Sequence, residues 1–379
     1  MQAGDWRDAS RRFRLPVRVS AAGYERYDKP VEVELDFGRL LGDLGIEGTF
    51  AGDSIRVIEV GEQGTIMDEN VAFQFDAHTE GGDRGTLVFT LKGVTPKDAV
   101  RFFQVYFDLA GGTYARVSIP VQVALTDGVQ HEAQESFQIV TPNATYYYHK
   151  LGAGFASMVD ADGNDWISHH PSGGSAGNYR GIPNVVHPEG HFHPGNRGCK
   201  SQIVSQGPIK LKIFSRSDDH KWACTWEIYP HYATLTLLKV DHPYWFLYEG
   251  TPGGKLDEEN DYCVRSTGER TPAGQSWEGD IPEPEWLYFG AGNTDRVLYL
   301  IHHEDDEQID SYWPMEGNMT VFGFGRKGLV KYMEQVPAHF TIGFAEKGAF
   351  EVAAWAIASA YRSCGVRTGG VEVRPAGGA

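Results

Sequence analysis

The chain has 379 residues, of which 41% are hydrophobic and 12% aromatic, and its formal net charge at pH 7 is −17. This length and composition suit two domains, or one large β domain with an addition, and exclude a disordered segment. The negative charge excludes a general binder of nucleic acid or of anionic membranes, because phosphate groups attract basic surfaces. No run approaches the roughly 20 apolar residues that a membrane-spanning helix needs, so we expect no membrane partner.

The first part of the chain, residues 12–141, is a series of short predicted strands separated by Gly, Asp and Pro. Their sequences are RLPVRVS, VEVELDF, SIRVIEV, TLVFTLK, VRFFQVYF and ARVSIPVQV. In VEVELDF, Val31, Val33 and Leu35 alternate with acidic residues, which is typical of a strand with one buried and one solvated face. We therefore predict an N-terminal β-sandwich domain over residues 1–142.

The composition changes near Pro142, and residues 143–379 are predicted to form a second domain. After two short strands and a long loop, its predicted strands are SQIVS, IKLKIFS, WACTWEIY, ATLTLLKV, YWFLYEG, WLYFG, RVLYLIHH, MTVFGFG and HFTIGFA. Their length and hairpin spacing predict a large antiparallel sandwich. One short amphipathic helix, residues 350–362, is predicted near the C-terminus. The predicted fold class is therefore all-β.

A histidine-rich segment, residues 169–200, interrupts the predicted strands with the sequence HHPSGGSAGNYRGIPNVVHPEGHFHPGNRGCK, which holds five of the 14 histidines. Its glycines and prolines forbid a long helix or an uninterrupted strand, so we expect a structured loop. Loops that concentrate ionisable side chains on a rigid scaffold often hold binding and catalytic sites. The loop is the candidate site. The alternative is an ordered loop whose His and Arg side chains satisfy one another's hydrogen bonds.

Residues 152–166, GAGFASMVDADGNDW, are followed by YRGIPN and then by long antiparallel strands. This pattern resembles the galactose-mutarotase-like supersandwich proteins of carbohydrate metabolism, over roughly residues 145–350 of the 379. The resemblance implies a supersandwich-like domain with a sugar-binding concave face. It also implies relatives among polysaccharide lyases, often behind an N-terminal β-sandwich. It does not extend residue by residue to the histidines and glutamate of true mutarotases.

The loop contains the residue types that β-elimination from a uronic acid sugar requires. A histidine can take a proton from a carbon next to a carboxylate, provided that a cation neutralises the carboxylate and a hydroxyl group protonates the leaving oxygen. Arg180 is the proposed cation, with help from Lys200 or Arg197, and Tyr179 is the proposed proton donor. The predicted catalytic residues are Tyr179, Arg180, His187, His191, His193 and Lys200. The sequence thus favours a polysaccharide lyase acting on a polysaccharide or oligosaccharide.

Two carboxylates outside the loop indicate a different reaction. Glu227 in TWEIYPHY and Glu249 in WFLYEGTPGG lie among aromatic residues, which would raise a carboxyl pKa by desolvation. A glycoside hydrolase needs two carboxyl groups, one of them with a raised pKa. Hydrolysis is therefore the alternative activity, and non-catalytic carbohydrate binding is a third hypothesis. The predicted substrate-binding residues are His170, Arg197, Glu227, Trp245 and Glu249.

A divalent metal ion is a candidate cofactor. His191 and His193 point to the same side of an extended backbone and are the proposed ligands, with His187 or Glu189 as a further ligand. The alternative use of these histidines is proton transfer without a metal.

The four cysteines show no C-x-x-C spacing. Cys199 and Cys224 flank one or two predicted strands, so they are either a disulfide in an exported protein or free buried thiols. We expect a secreted or periplasmic protein, although no apolar leader follows Met1. The oligomeric state stays open.

Overall fold

The computed structural model describes residues 6–78, 82–169, 180–189 and 192–375. The protein is all-β, as the strand patterns predicted. The chain divides into two compact units, of which unit 1 comprises Met1–Val121, Gly207–Ile209 and Ala358–Ala379, and unit 2 comprises Gln122–Gln206 and Lys210–Ile357. No helix in the described part of the chain is long and apolar enough to span a membrane.

In the described residues the elements form a long series of strands with two α-helices. The first are β1 (Phe13–Ser20), β2 (Arg26–Asp36), α1 (Phe37–Gly42), β3 (Phe50–Val60), β4 (Ile66–Asp68), β5 (Phe73–Ala77), β6 (Arg84–Thr95) and β7 (Val100–Leu109). The next are β8 (Ala124–His131), β9 (Gln134–Val140), β10 (Ala144–His149), β11 (Gly154–Asp160), β12 (Gly181–Asn184), β13 (Cys199–Gln206), β14 (Leu211–Ser217), β15 (Ala223–Ile228), β16 (Tyr232–Lys239) and β17 (Phe246–Gly250). Then come β18 (Tyr262–Arg265), β19 (Arg270–Pro272), β20 (Trp277–Gly279), β21 (Trp286–Gly290), β22 (Arg296–His302), β23 (Asp310–Met315), β24 (Met319–Phe324), β25 (Arg326–Lys327), β26 (Val330–Lys331) and β27 (Ala338–Glu346). The last are α2 (Phe350–Tyr361), β28 (Gly365–Thr368) and β29 (Glu372–Val373).

Unit 1 contains two sheets that share one apolar core. One sheet has the order β28-β1-β7-β3-β4 with β29 also beside β1, and the other has the order β2-β6-β5. Val31, Val33 and Leu35 of β2 are buried in this core, as their alternation with acidic residues predicted. Phe37 of α1 stacks on Phe50 with ring centroids 4.0 Å apart. The predicted fold of this part of the chain, a β-sandwich, is thus confirmed.

Among its described residues, unit 2 contains two antiparallel sheets of nine strands each and the two-stranded hairpin β25-β26. The orders of the nine-stranded sheets are β20-β23-β24-β17-β12-β11-β10-β9-β8 and β13-β14-β15-β16-β27-β22-β21-β18-β19. Both sheets contribute side chains to one core, for example where Phe155 of β11 meets Trp226 of β15 with ring centroids 4.7 Å apart. Unit 2 is the large antiparallel sandwich that the hairpin spacing predicted.

The division between the units differs from the predicted cut between residues 142 and 143. Strands β9 and β10 lie on either side of that cut and pair from Thr145↔Val140 to His149↔Ser136, so β8 and β9 belong to unit 2. The end of the chain returns to unit 1, because β28 and β29 both pair with β1. The predicted helix is confirmed as α2.

One predicted strand is wrong. The stretch ARVSIPVQV, residues 115–123, lies outside every strand, and most of its side chains are exposed. Its alternation of apolar and polar residues fits a strand, but the segment packs little apolar surface and pairs with no neighbouring strand in the described part of the chain. Periodicity alone therefore predicted an element that no partner stabilises.

The polar turn within residues 152–166 is organised by Asp160. Its carboxylate accepts hydrogen bonds from the backbone N–H groups of Asp162 and Asn164, both at 2.9 Å, and from the indole N–H of Trp166 at 2.8 Å. Asp165 accepts from Ser157 Oγ at 2.8 Å and from two backbone N–H groups. The acidic residues of this turn therefore serve as hydrogen-bond acceptors that close a hairpin.

Glycines allow the segment around Pro194 to lie directly on the sheet. A Cβ atom at Gly181 would meet the Pro194 ring and would lie 2.7 Å from the carbonyl oxygen of Phe155. A Cβ atom at Gly152 would lie 2.6 Å from the carbonyl oxygen of His193. Because real Cβ atoms do not approach backbone so closely, these glycines set the position of residues 193–194.

We predict that Gly181→Ala destabilises the protein by about 1 to 3 kcal/mol, because the added methyl group overlaps the Pro194 ring and a backbone carbonyl. Urea denaturation followed by circular dichroism measures the change. Gly370→Ala is the control, since a Cβ atom there would meet nothing within 4 Å. Equal stability of the two variants would show that the close contact at Gly181 relaxes without cost.

Candidate functional site

The candidate site is centred on Glu249, on three neighbouring strands of one sheet of unit 2. Glu249 of β17 pairs with Gly181 of β12 on one side and with Val321 of β24 on the other. The histidine-rich loop enters this sheet through β12 and leaves it towards β13. The loop and the strand ends therefore bring polar side chains to Glu249 from both sides.

His193 and Asn184 both bind the Glu249 carboxylate. The His193 Nε2 atom lies 2.6 Å from Glu249 Oε2, and the amide of Asn184 donates to the same oxygen at 3.1 Å. Glu249 and His193 expose only 9% and 4% of their surface. Burial raises the pKa of Glu249, but the hydrogen bond and the positive charge of His193 outweigh burial and hold that pKa below its ordinary value. Glu249 is therefore a carboxylate at neutral pH.

Both ring nitrogens of His193 face oxygen acceptors. Nδ1 lies 2.6 Å from the carbonyl oxygen of Pro194, and Nε2 faces the carboxylate of Glu249. A carbonyl oxygen and a carboxylate can only accept, so both bonds form when both nitrogens carry a proton. In this geometry His193 is the cationic partner of Glu249 and is poorly placed to accept a further proton.

His187 has a different environment. Its side chain is exposed, and its backbone N–H donates to the side-chain oxygen of Asn184 at 3.1 Å. Partial desolvation lowers the pKa of His187, Glu249 opposes this effect, and the cations His193, Lys331 and Arg326 add to it. A histidine with a lowered pKa is neutral at pH 7, so His187 is the described histidine of the loop that is best suited to accept a proton.

Arg180 is buried directly before β12, with 8% of its surface exposed. Its backbone carbonyl lies 3.0 Å from Nδ1 of His169. Its Nε atom has no hydrogen-bond partner in the described part of the chain. Burial lowers the pKa of Arg180, while Tyr248 and Glu249 raise it, but an arginine stays charged. A buried guanidinium group with an unused donor is suited to bind an anion.

Two cations of the site were missed by the sequence analysis. Arg326 and Lys331 lie in the β25–β26 hairpin, and their charged groups approach the ring of Trp245 at 5.6 Å and 4.4 Å from its centroid. The signal in the sequence is GRKGLVKYM, a basic turn in an acidic chain. Trp245, which the sequence predicted to bind substrate, is 1% exposed. In the structure its ring packs against these two cations.

Glu227 and Lys200 lie on strands of the other nine-stranded sheet, and among the described residues no hydrogen bond or ion pair joins either of them to Glu249. Glu227 is held by Lys210 and Lys212 at 2.8 and 3.2 Å. Burial raises the pKa of Glu227, but the two lysines outweigh burial and lower it. The raised pKa that the aromatic surroundings of Glu227 and Glu249 predicted is thus wrong for both residues.

Lys200 is exposed and lies 3.5 Å from Asp218, and Arg197 is also exposed. Three predicted site residues, Tyr179, His191 and His170, lie outside the described residues. Their proposed roles stay predictions.

The metal hypothesis also stays a prediction, because one of its two proposed ligands, His191, lies outside the described residues. Within residues 6–78, 82–169, 180–189 and 192–375, no group of three or more His, Cys, Asp or Glu side chains is arranged to hold a metal ion. Glu189, a proposed further ligand, lies 3.0 Å from His242.

Cys199 and Cys224 are free and buried. Burial raises the pKa of the Cys199 thiol to about 12. Of the two alternatives that the sequence left open, the structure has the buried thiols, which are unreactive in this environment.

Other histidines anchor the loop. The backbone N–H of Gly195 donates to Nδ1 of His149 at 3.0 Å, so the proton of His149 lies on Nε2, which is 3.2 Å from Nδ1 of His131. Burial, with the neighbouring His169 and His131, lowers the pKa of His149 to about 3. His149 is therefore neutral and fixes the end of the loop beside His193. At the end of the loop, around His193 and Gly195, the histidines therefore make structural hydrogen bonds, as in the alternative to a catalytic loop.

A second ionisable cluster lies elsewhere in unit 2. Glu285 and His302 are 2% and 3% exposed, and Oε2 of Glu285 lies 2.7 Å from Nδ1 of His302. Burial, with the nearby carboxylates of Asp306 and Asp280, raises the pKa of Glu285 to about 10. The acidic run HEDDE after β22 is the signal in the sequence, but it does not identify Glu285, which stands 17 residues before His302.

We predict that Glu285→Gln makes the protein more stable at about pH 8, by roughly 1 to 3 kcal/mol. The pKa of Glu285 in the folded state, about 10, lies above its ordinary value of 4.5, so the folded protein keeps a proton that the unfolded chain releases. Its contribution to stability therefore falls as the pH rises above about 4.5. The amide of glutamine stays neutral and can still bond His302.

Urea denaturation at about pH 5 and about pH 8 measures this effect, with the exposed Glu259→Gln as control. The Glu285 variant should lose less stability than the control between the two pH values. Parallel curves for both variants would show that Glu285 is ionised in the folded protein.

No protein-family model matches the sequence. A search of curated proteins also finds no match.

Solved structures resemble part of the chain. A candidate mutarotase, YeaD from Salmonella typhimurium, is 10% identical and covers 59% of this chain and 94% of its own, with a TM-score of 0.40. A galactose mutarotase-like protein from Lactobacillus casei is 10% identical and covers 55% of this chain and 100% of its own, with a TM-score of 0.38. The YidC insertase is 10% identical and covers 64% of this chain and 44% of its own, with a TM-score of 0.34. Galactose mutarotase-like proteins, the group to which residues 152–166 pointed, are thus among the structures that this chain resembles, at similarities too low to indicate a substrate.

Proposed function

We propose that unit 2 is a carbohydrate-active enzyme that binds an acidic glycan beside Glu249 and cleaves it by β-elimination. The observation that carries the proposal is that the charge of Glu249 acts on two different groups, a buried Arg180 whose Nε has no described partner and an exposed His187 of lowered pKa. Both residues lie close to Glu249 along the backbone or through hydrogen bonds. Arg180 directly precedes Gly181, which pairs with Glu249. The backbone N–H of His187 donates to Asn184, and Asn184 donates to the carboxylate of Glu249. Cation and base are the two groups that acidify and remove a C–H proton.

In the proposed reaction, Arg180 binds the carboxylate of a uronate sugar and stabilises the negative charge that develops there. His187 removes the proton from the carbon next to that carboxylate. The electron pair of the C–H bond forms a C=C bond as the neighbouring C–O bond breaks, and the leaving oxygen takes a proton. Tyr179 remains the predicted donor of that proton.

The pair His193 and Glu249 has a positioning role in this proposal. Glu249 holds His193 and Asn184, and Asn184 accepts the backbone N–H of His187. The buried ion pair therefore fixes the backbone that carries the base.

Hydrolysis is less well supported by the described geometry. A general acid needs a raised pKa, but the pKa values of Glu249 and Glu227 are lowered, and the two residues lie on different sheets. Carbohydrate binding without cleavage needs the same cation but no base.

We predict that incubation with a panel of polyuronates and neutral polysaccharides yields, from a polyuronate, products with the ultraviolet absorbance of a C=C bond conjugated with a carboxylate. His187→Ala should lower kcat by about 100- to 10,000-fold, because a positioned base is lost. Arg180→Gln should also suppress the rate. Thermal melting checks that both variants are folded, and Lys255→Gln, exposed and remote in sequence, is the control.

Reducing ends without the ultraviolet signal would show hydrolysis, and Glu249 and Glu227 would be the first residues to replace. Binding of a polyuronate without any product would show a binding protein.

We also predict the pH dependence of the wild-type reaction. The base must be neutral, and the pKa of His187 lies below the ordinary histidine value of 6.5. The rate kcat/KM should therefore rise with pH through a value below 6.5 and should be constant through neutrality. If kcat/KM instead rises with pH only above pH 6.5, the base is a group other than His187.

A further inference from the structure

Arg326 and Lys331 are cations without a carboxylate partner. Among the residues that the structure describes, neither lies within 4.0 Å of an Asp or Glu oxygen. Arg326 is 7% exposed, and its guanidinium group donates to the backbone carbonyls of Gly328 and Val321 at 3.0 and 3.3 Å. Burial lowers the pKa values of both residues, and the more distant carboxylates of Glu249 and Glu278 at Arg326, and of Glu189 at Lys331, oppose this effect without outweighing it.

Several other buried or half-buried cations of this protein face a carboxylate. Arg11 is paired with Asp8, Lys210 with Glu227 and Arg101 with Glu59. Arg326 is buried and Lys331 is partly buried, and a desolvated cation without a carboxylate is costly, so an anion bound at this place would offset that cost.

The two cations are placed beside the Arg180 site by the sheet. Val321, whose carbonyl accepts from Arg326, pairs with Glu249, and on the other side of β17 Glu249 pairs with Gly181, the residue after Arg180. Strands β12 and β24 flank β17, so these backbone positions are about 10 Å apart. Two carboxylates on neighbouring sugars could therefore contact the cations on the two sides of β17, one on each side.

We propose that Arg326 and Lys331 form a second carboxylate subsite, so that the substrate is a glycan with acidic groups on neighbouring sugars. This inference rests on the proposed function and narrows it from an acidic sugar to a polyuronate. Lys331, against Trp245 at the open end of the hairpin, makes the contact that is easiest to test, because Arg326 also supports the backbone. A substrate with one acidic sugar would occupy the Arg180 subsite alone.

The experiment measures binding by isothermal titration calorimetry with the full chain and four probes: galacturonic acid, an oligogalacturonate, a neutral oligosaccharide of equal length and a sulfated oligosaccharide. Lys331→Gln should weaken oligogalacturonate binding about tenfold, through loss of one charge-assisted contact, and should leave galacturonic acid binding unchanged. Lys331→Arg should restore binding. Lys327→Gln is the matched control, since Lys327 lies on the same hairpin, is 51% exposed and faces Glu278 at 3.7 Å.

Arg180→Gln should weaken the binding of both galacturonic acid and the oligogalacturonate. This result differs from that expected for Lys331→Gln, so the two variants test the proposed function and the second subsite separately. If Lys331→Gln binds the oligomer like wild type while Arg180→Gln does not, the second subsite is wrong and the proposed function stands. If neither uronate probe binds the wild-type protein, the proposed function fails as well. Preference for the sulfated probe over the oligogalacturonate would overturn the assignment to carboxylates.

Discussion

The buried ion pair between Glu249 and His193 is the interaction on which the candidate site depends. A carboxylate that is 9% exposed is stable in the sheet only because His193 and Asn184 compensate its charge. Removing one partner of such a pair typically costs about 3 to 5 kcal/mol, because the other charge stays buried. The pair also joins the end of the loop to the middle of the sheet, and the glycines at 152 and 181 give residues 193–194 the room to reach it. The candidate site therefore lies where His193 and Asn184 compensate the charge of Glu249.

The fold was largely predictable from the sequence, because it depends on periodic patterns. Val31, Val33 and Leu35 alternate with charges and are buried, and the long aromatic segments of the second half are strands. Pairing between distant segments was not predictable. Nothing in the local sequence shows that β9 pairs with β10 across the expected boundary, or that the end of the chain pairs with β1. The same limit explains residues 115–123, which have a strand pattern and no strand partner in the described part of the chain.

The sequence indicated a candidate segment but not the bonding partners of its residues. The density of histidine and arginine indicated the segment that carries Arg180, His187 and His193 as the candidate site. Residue type does not show which nitrogen faces an acceptor. His193 and His149 are engaged in structural bonds, whereas His187 is exposed, and only the three-dimensional partners separate these cases. Arg326 is more than 130 residues beyond His193 and enters the site through strand pairing. Desolvation alone predicted the wrong direction for the pKa of Glu249, because the sequence does not show its cationic partner.

The return of the chain terminus to β1 has a consequence for biosynthesis. Strand β1 lies inside the sheet of unit 1, between β7 and the late strands β28 and β29. All of unit 2 is synthesised before β28 and β29 leave the ribosome, so unit 2 can fold while β1 still has one open edge. Of the two units, unit 1 is therefore completed after unit 2, and until then β1 offers an open strand edge at which other strands can pair.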